Sequence, residues 1–221
     1  MRIALALVLL CGLAGAVCAQ GAGPTVSGLT IAPADGSVTN ARAVQVGGQV
    51  AGTAAPFSVT FLVDGVIESQ IQNLAAGEPF LHGISVGGDG VHTFTVRARD
   101  AAGAISTARA GAVTLDTTPP AAPILITPQP IVSNQNTITL KGIHPEPPRQ
   151  GQPPPKILVL GPQGARFTPP QPQVVTDPNG MFQTAIDVSA LPDGTYTFRL
   201  IAIDAAGNFS DATQVSMAGK R

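Results

Sequence analysis

Thirteen carboxylates, three histidines and a scatter of serines are the groups in this 221-residue sequence that could do chemistry. A glycosidase needs two carboxylates flanking one bond. The only glutamates, Glu68, Glu78 and Glu146, stand isolated in loop-like sequence and offer no pair. Zinc takes histidine and cysteine at short ligand spacing. His82 and His144 are expected in Gly- and Pro-rich loops with no second His or Cys at ligand spacing, and His92 sits inside an alternating run as a partly buried ring. A serine nucleophile is raised on a strand–turn–helix elbow, G-x-S-x-G, and neither that elbow nor a helix to host it is expected here. The Gly87-Gly88-Asp89-Gly90 cluster opens a strand, whereas a phosphate loop opens a helix. No catalytic residue and no cofactor-binding residue is therefore assigned, and the chain reads as a non-enzyme.

The elements that would have to position any site are constrained by composition. Gly and Pro contribute 25 and 21 residues, too many for a helical bundle. Only 11% of residues are charged and the net charge is −1, so no basic footprint exists for nucleic acid or an anionic membrane. Aromatic residues reach only 4% with no Trp, which disfavours sugar stacking.

Residues 1–19, MRIALALVLLCGLAGAVCA, read as a signal peptide: one Arg, an apolar run from Ile3 to Leu13, and small residues before cleavage after Ala19. The run is too short to span a bilayer, which takes about 20 residues, so no transmembrane segment is expected. Gly15-Ala16-Val17 and Leu10 do not suit lipidation of Cys18 or Cys11. Cleavage would remove both cysteines and Arg2, leaving eleven basic residues against thirteen acidic ones. The expected product is exported (periplasmic, extracellular or cell-surface associated) and must be held together by core burial without disulfides.

Self-comparison shows one unit written twice. DGVHTFTVRARDAAG (89–103) returns 104 positions later as DGTYTFRLIAIDAAG (193–207), and VTNARAVQVGG (38–48) returns as VSNQNTITLKG (132–142). The offsets differ by a net insertion in the second unit, placed in the six-proline stretch Pro145–Pro155. Phe94, Val96 and Ala98 alternate with Thr95, Arg97 and Arg99, Val59-x-Phe61-x-Val63 runs into Asp64-Gly65, and Val44, Val46, Gly48 and Val50 share the period of two. Turn pairs at Asp35-Gly36, Asp64-Gly65, Asp89-Gly90, Asn179-Gly180 and Asp193-Gly194 break the runs at hairpin-like intervals. Roughly seven short strands per unit of about 95 residues is the arithmetic of a β-sandwich. The expected organisation is all-β: a first domain over 24–116, a Pro-rich linker at 117–120, and a second domain over 121–218.

LPDGTYTFRLIAIDAAGN (191–208) and the DTTPP linker (116–120) resemble tandem bacterial immunoglobulin-like (Big-type) domains, which are similar in shape to fibronectin type III. The first unit departs from that pattern, with His92 for the tyrosine and Ala104 for the asparagine. The resemblance implies two tandem immunoglobulin-like β-sandwiches, a tyrosine corner at Tyr196, and close sheet approach at Ala98 and Ala202. It also implies that the linker and loops of the second domain meet at one pole. Asp116, Glu146 and Asp204 could gather there as a calcium site, although calcium wants six to eight oxygens. The plainer expectation has Asp204 capping a turn and Asp116 solvated. Where the first unit carries outward Arg97 and Arg99, the second carries Ile201 and Ile203. That pair marks either a contact surface or a face covered by the chain's own Pro-rich excursions. The loop 143–155 and Thr168-Pro169-Pro170-Gln171-Pro172 read as stiff spacers before recognition elements. The expected role is a non-catalytic adhesion, binding or structural module engaging a protein or glycan at the cell surface. The alternative is an accessory subunit of a cell-envelope export or surface-assembly system.

Overall fold

A computed structural model describes residues 23–146, 152–162 and 174–218. Residues 1–19, read as a signal peptide, and the Thr168–Pro172 stretch lie outside the described residues, as does the middle of the 143–155 loop.

Eight strands build the first sandwich: β1 (Thr25–Ala32), β2 (Val38–Thr39), β3 (Ala43–Ala51), β4 (Phe57–Val63), β5 (Val66–Leu74), β6 (Pro79–Ser85), β7 (Gly90–Arg99) and β8 (Ile105–Leu115). Among the described residues eight more build the second: β9 (Ile124–Leu125), β10 (Ile131–Val132), β11 (Thr137–Ile143), β12 (Lys156–Leu160), β13 (Val174–Val175), β14 (Met181–Asp187), β15 (Thr195–Ile203) and β16 (Thr213–Ala218). The sheets run β1-β3-β6 and β2-β8-β7-β4-β5 in the first, then β14-β11-β9 and β10-β16-β15-β12-β13 in the second. These are the same topology, so the written repeat is a structural one. Among the described residues every named element is a strand.

Each sandwich has one strand more than the seven expected. The first strand crosses between sheets, and its far end becomes a two-residue strand running parallel to the last: Val38↔Thr114 in one, Ile131↔Met217 in the other. Two residues are too few to show alternation in a sequence. Of the Asp/Asn-Gly signals only Asp64-Gly65 closes a two-residue hairpin, joining β4 to β5 with φ of 51° and 82°. Asp35-Gly36, Asp89-Gly90 and Asn179-Gly180 lie on crossings between the two sheets of a sandwich, which need tight turns as much as hairpins do.

The cores follow the predicted alternation. Val44, Val46, Val50, Phe61, Phe94, Val96 and Ala98 are buried in the first, with Leu140, Ile157, Phe198, Leu200, Ala202 and Met217 in the second. The shared glycine of the short repeat has a packing reason. Gly48 pairs with Phe80 and Gly142 with Phe182 on the neighbouring strand. A methyl group at Gly48 would lie 2.9 Å from the Phe80 ring; one at Gly142 would collide with the Phe182 ring and the Ile124 carbonyl. Each phenyl lies across the glycine opposite it.

Candidate functional site

The linker is fixed to both sandwiches. On the first, the Asp89 carboxylate accepts from Thr117 N at 3.0 Å, from the Thr117 hydroxyl at 2.8 Å and from the Thr118 hydroxyl at 2.8 Å. Those donors, the Thr117 hydroxyl first, hold the Asp89 acid below the ordinary carboxylate value. On the second sandwich, the Asn208 side-chain amide donates to the Asp116 carbonyl at 2.8 Å, to Asp204 Oδ2 at 2.9 Å and more weakly to the Thr118 carbonyl at 3.3 Å. Glu146 Oε1 accepts from Ala121 N at 3.1 Å, and the Thr213 hydroxyl donates to the Pro123 carbonyl. The two-domain chain is therefore hydrogen-bonded across its junction at Asp116, Thr117, Thr118, Ala121 and Pro123.

The local cause is a five-residue turn. Asp204 N donates to Asn208 O while Asn208 N donates to Asp204 Oδ1 at 2.8 Å. Gly207, at φ 91°, supplies the left-handed step. The first sandwich closes the same turn at Asp100–Ala104, with Ala104 N donating to Asp100 Oδ1 at 2.8 Å. Aspartate and glycine thus make the turn in both units, and the asparagine present only in the second reaches out to the linker.

The structure places the three calcium candidates along this junction. Asp204 caps the turn, as expected. Asp116 is 3% exposed rather than solvated, because its residue lies under the Asn208 amide and its Oδ1 accepts from Thr118 N. Glu146 stands at the Ala121 amide. Among the described residues no group of three or more His, Cys, Asp or Glu is placed to hold a metal ion.

The histidines have structural neighbours, and one was misplaced by the sequence reading. His82 lies in β6 and not in a loop; Gly83 and Pro79 obscured the alternation Phe80-x-His82-x-Ile84. Its ring stacks on Phe61 at 4.7 Å and its Nε2 is 2.7 Å from Ser69 Oγ on β5, linking the two sheets at their open side. Glu68 is likewise in β5, not a loop. His144 is 3% exposed, with Nδ1 on the Glu146 carbonyl. The letters of a nucleophile elbow do occur, at Gly83-Ile84-Ser85-Val86-Gly87, and sequence reasoning passed over them. Ser85 is exposed at the end of β6 and no helix follows, so the elbow's geometry is missing.

His92 takes the tyrosine's place in detail. Tyr196 donates its hydroxyl to the Pro192 carbonyl at 2.6 Å, four residues back. His92 Nε2 meets the Gly88 carbonyl at 3.0 Å, also four back, and its Nδ1 meets Asp64 Oδ2 at 2.7 Å. Both partners are acceptors, so both ring nitrogens must donate and the site favours imidazolium. Burial opposes the charge, but the Asp64 bond, the Gly88 carbonyl and the Asp64 charge outweigh it and raise the His92 pKa above 6.5. Asp64 is lowered in return: burial opposes this, and bonds from Thr93 N, His92 and the Thr93 hydroxyl prevail.

Ile201 and Ile203 lie on the outer face of the five-stranded sheet, both half-buried. Ile201 pairs with Leu158 and Ile203 with Lys156, and Ile203 also bridges to Phe209, which is 59% exposed. The same positions in the first sandwich pair Arg97 with Thr60 and Arg99 with Ser58.

Two sandwiches of this topology, in series, define a tandem immunoglobulin-like, fibronectin type III-like fold. The fibronectin(III)-like modules of Clostridium thermocellum CbhA superpose on it with a TM-score of 0.54 at 14% identity, over 89% of this chain and 94% of that one. The FN1–FN3 domains of chicken CNTN1 match at 16% identity and TM-score 0.45, over 91% of this chain and 66% of theirs. A 1.5-MDa bacterial ice-binding adhesin matches at 18% and 0.42, over 90% and 65%. At these identities the likeness is one of fold. No protein-family model matches the chain, and no curated protein sequence does.

Proposed function

We propose that the chain is an exported, non-catalytic module of the cell surface, in which a fixed junction holds two sandwiches in series and the second presents a contact face to a protein or glycan. The observation that carries this reading is the asymmetry of the repeat. The outer face that is charged at Arg97 and Arg99 in the first sandwich is apolar at Ile201, Ile203 and Leu158 in the second. Exposed apolar surface rimmed by polar residues marks interaction sites. Export rests on the leader-like residues 1–19, and the absence of catalysis on the structural neighbours of every histidine. No helix among the described residues is long and apolar enough to cross a membrane.

Capture from the native cell envelope by the chain lacking residues 1–19 tests the reading, with Ile203→Arg as its control. A contact face predicts that this variant melts like the parent yet loses its captured partner. Ile203→Arg melting much lower as a monomer would show instead that the chain's own segments cover the face.

A further inference from the structure

The two sandwiches differ at one edge. In the first, β1 runs along β3 from Thr25↔Ala51 to Ala32↔Gln45. In the second, β9 pairs only with Gly142 and Ile143, and its ladder ends where Ile126 N and Thr127 N donate to the Lys141 carbonyl. Pro128 follows, without an amide to continue. In antiparallel pairing alternate residues turn both backbone groups to the same neighbour. Val188 N donates to the Asn136 carbonyl, so Asn136, Ile138 and Leu140 face β14, while Thr137, Thr139 and Lys141 face the β9 side. Lys141 is met by β9's continuation. Among the described residues Thr137 and Thr139, both exposed, have no strand opposite them there, although Gln45, the counterpart of Thr139, has Ala32.

This bare edge opens onto a groove of about 1040 Å³. Its opposite wall is β10, where Val132 is 77% exposed, and among the described residues Asp193 is the sole charged one lining it. An extended polypeptide would find two pairs of backbone partners in line with the β9 ladder, an apolar wall at Ile131 and Val132, and the Asp193 carboxylate in the lining.

We propose that this groove is a strand-addition site. An extended segment of a partner polypeptide, with alternating apolar side chains and a basic residue, pairs antiparallel with β11 at Thr137 and Thr139 and continues the ladder that β9 leaves short. The proposal rests on the binding-module reading and adds to its Ile201–Ile203 face a second point of attachment for the same partner, with the class of segment that fits it. Hydrogen bonds from the main chain give the affinity, and Val132 and Asp193 select the side chains.

The probe is a capped pentapeptide of alternating threonine and valine ending in lysine, titrated into the 20–221 chain and followed by amide shifts and hydrogen exchange. The expected result is saturable shifts at Thr137 and Thr139, with exchange slowed about tenfold or more at saturation. Thr139→Pro removes the outward amide without touching the β14 ladder, and Val132→Lys alters a side chain that is already exposed. Each should weaken binding by about tenfold or more with the melting midpoint kept. No saturable shift at millimolar peptide, or undiminished binding by both variants, overturns the site. So does slow exchange at Thr139 in the free monomer, which would mean that the chain covers its own edge. Protection that grows with protein concentration alone would make a second copy the occupant and also overturn it. A Val132→Lys chain that still captures its envelope partner ends this proposal and leaves the module reading intact. A parent chain that binds the pentapeptide but captures nothing from the envelope does the reverse.

Discussion

Replacing Asn208 by alanine should loosen the two sandwiches without unmaking the turn that carries it. The amide has two hydrogens shared among three oxygens: two bonds of good length, at 2.8 and 2.9 Å, and one long contact at 3.3 Å. A net hydrogen bond is worth about 1 kcal/mol, and Asn208 and Asp116 are only 8% and 3% exposed, so solvent does little to replace the lost donor. The expected cost is about 2 kcal/mol to the second sandwich, which for a domain near 100 residues lowers its melting midpoint by roughly 10 °C. The turn itself should survive, because the first sandwich builds the same turn with Ala104 and keeps the 2.8 Å bond to Asp100. Calorimetry measures the midpoint, and residual dipolar couplings report whether the two sandwiches still share one alignment. A variant that melts within about 2 °C of the parent and keeps a single alignment refutes the reasoning; the junction would then be held by Asp89, Glu146 and Thr213 alone.

The His92–Asp64 pair predicts a pH window for the first sandwich. His92 is raised, so its contribution is complete below about 6.5 and is lost as pH climbs through its folded-state value; Asp64 is lowered, so its contribution holds above about 3.8 and is lost as pH falls through its own. Denaturation midpoints should therefore be higher at pH 5.5 than at pH 8.5 by an amount that His92→Gln abolishes; these pH values are chosen on either side of about 6.5, and a flat profile in the parent would refute it. Gly142→Ala should destabilise the second sandwich by about 2 kcal/mol or more through overpacking, since the added methyl meets the Ile124 backbone as well as the Phe182 ring. Urea titration checks this, and a midpoint equal to the parent's would mean that the ring swings clear. Melting in calcium and in chelator should give one midpoint, because three carboxylates already engaged with amides fall short of the six to eight oxygens calcium takes; a rise with calcium would assign Asp116, Glu146 and Asp204 a ligand role.

What could be read beforehand was what repeats with period two. The β7 and β15 segments declared their faces because both copies alternate Phe-x-Val or Phe-x-Leu against polar residues, and the structure buries the expected side. The partners β6 and β14 share only Phe and Ile at matching places, PFLHGIS against MFQTAID, so self-comparison missed them and His82 was assigned to a loop. Placing Phe80 and Phe182 opposite Gly48 and Gly142 would have found both strands, since a phenyl needs a bare neighbour to lie across. The junction was legible in one half. D-x-A-G-N announced a turn, but the oxygens that Asn208 grips are main-chain carbonyls of Asp116 and Thr118, and a backbone acceptor has no letter of its own.

The bare β11 edge was hidden for the same reason, and it shows where the duplicated unit has diverged. The proline ending the first ladder is Pro33, after Ala32 has reached Gln45; the proline ending the second is Pro128, when the ladder has reached only Lys141, the counterpart of Gly47. A shift of two positions in the ladder takes the partner from one residue's amide and carbonyl, and leaves the rest of the sandwich as it was. The core does not register the change, because Ile138 and Leu140 stay packed in the second sandwich's core and their backbones stay paired with β14. An alteration so cheap in stability is one that drift or selection could introduce freely. Function therefore rests on what lines the groove as well as on the open edge. What gives the groove weight is that the exposed Val132 and the single carboxylate of Asp193 line the same opening, which a mere shortening of β9 does not require.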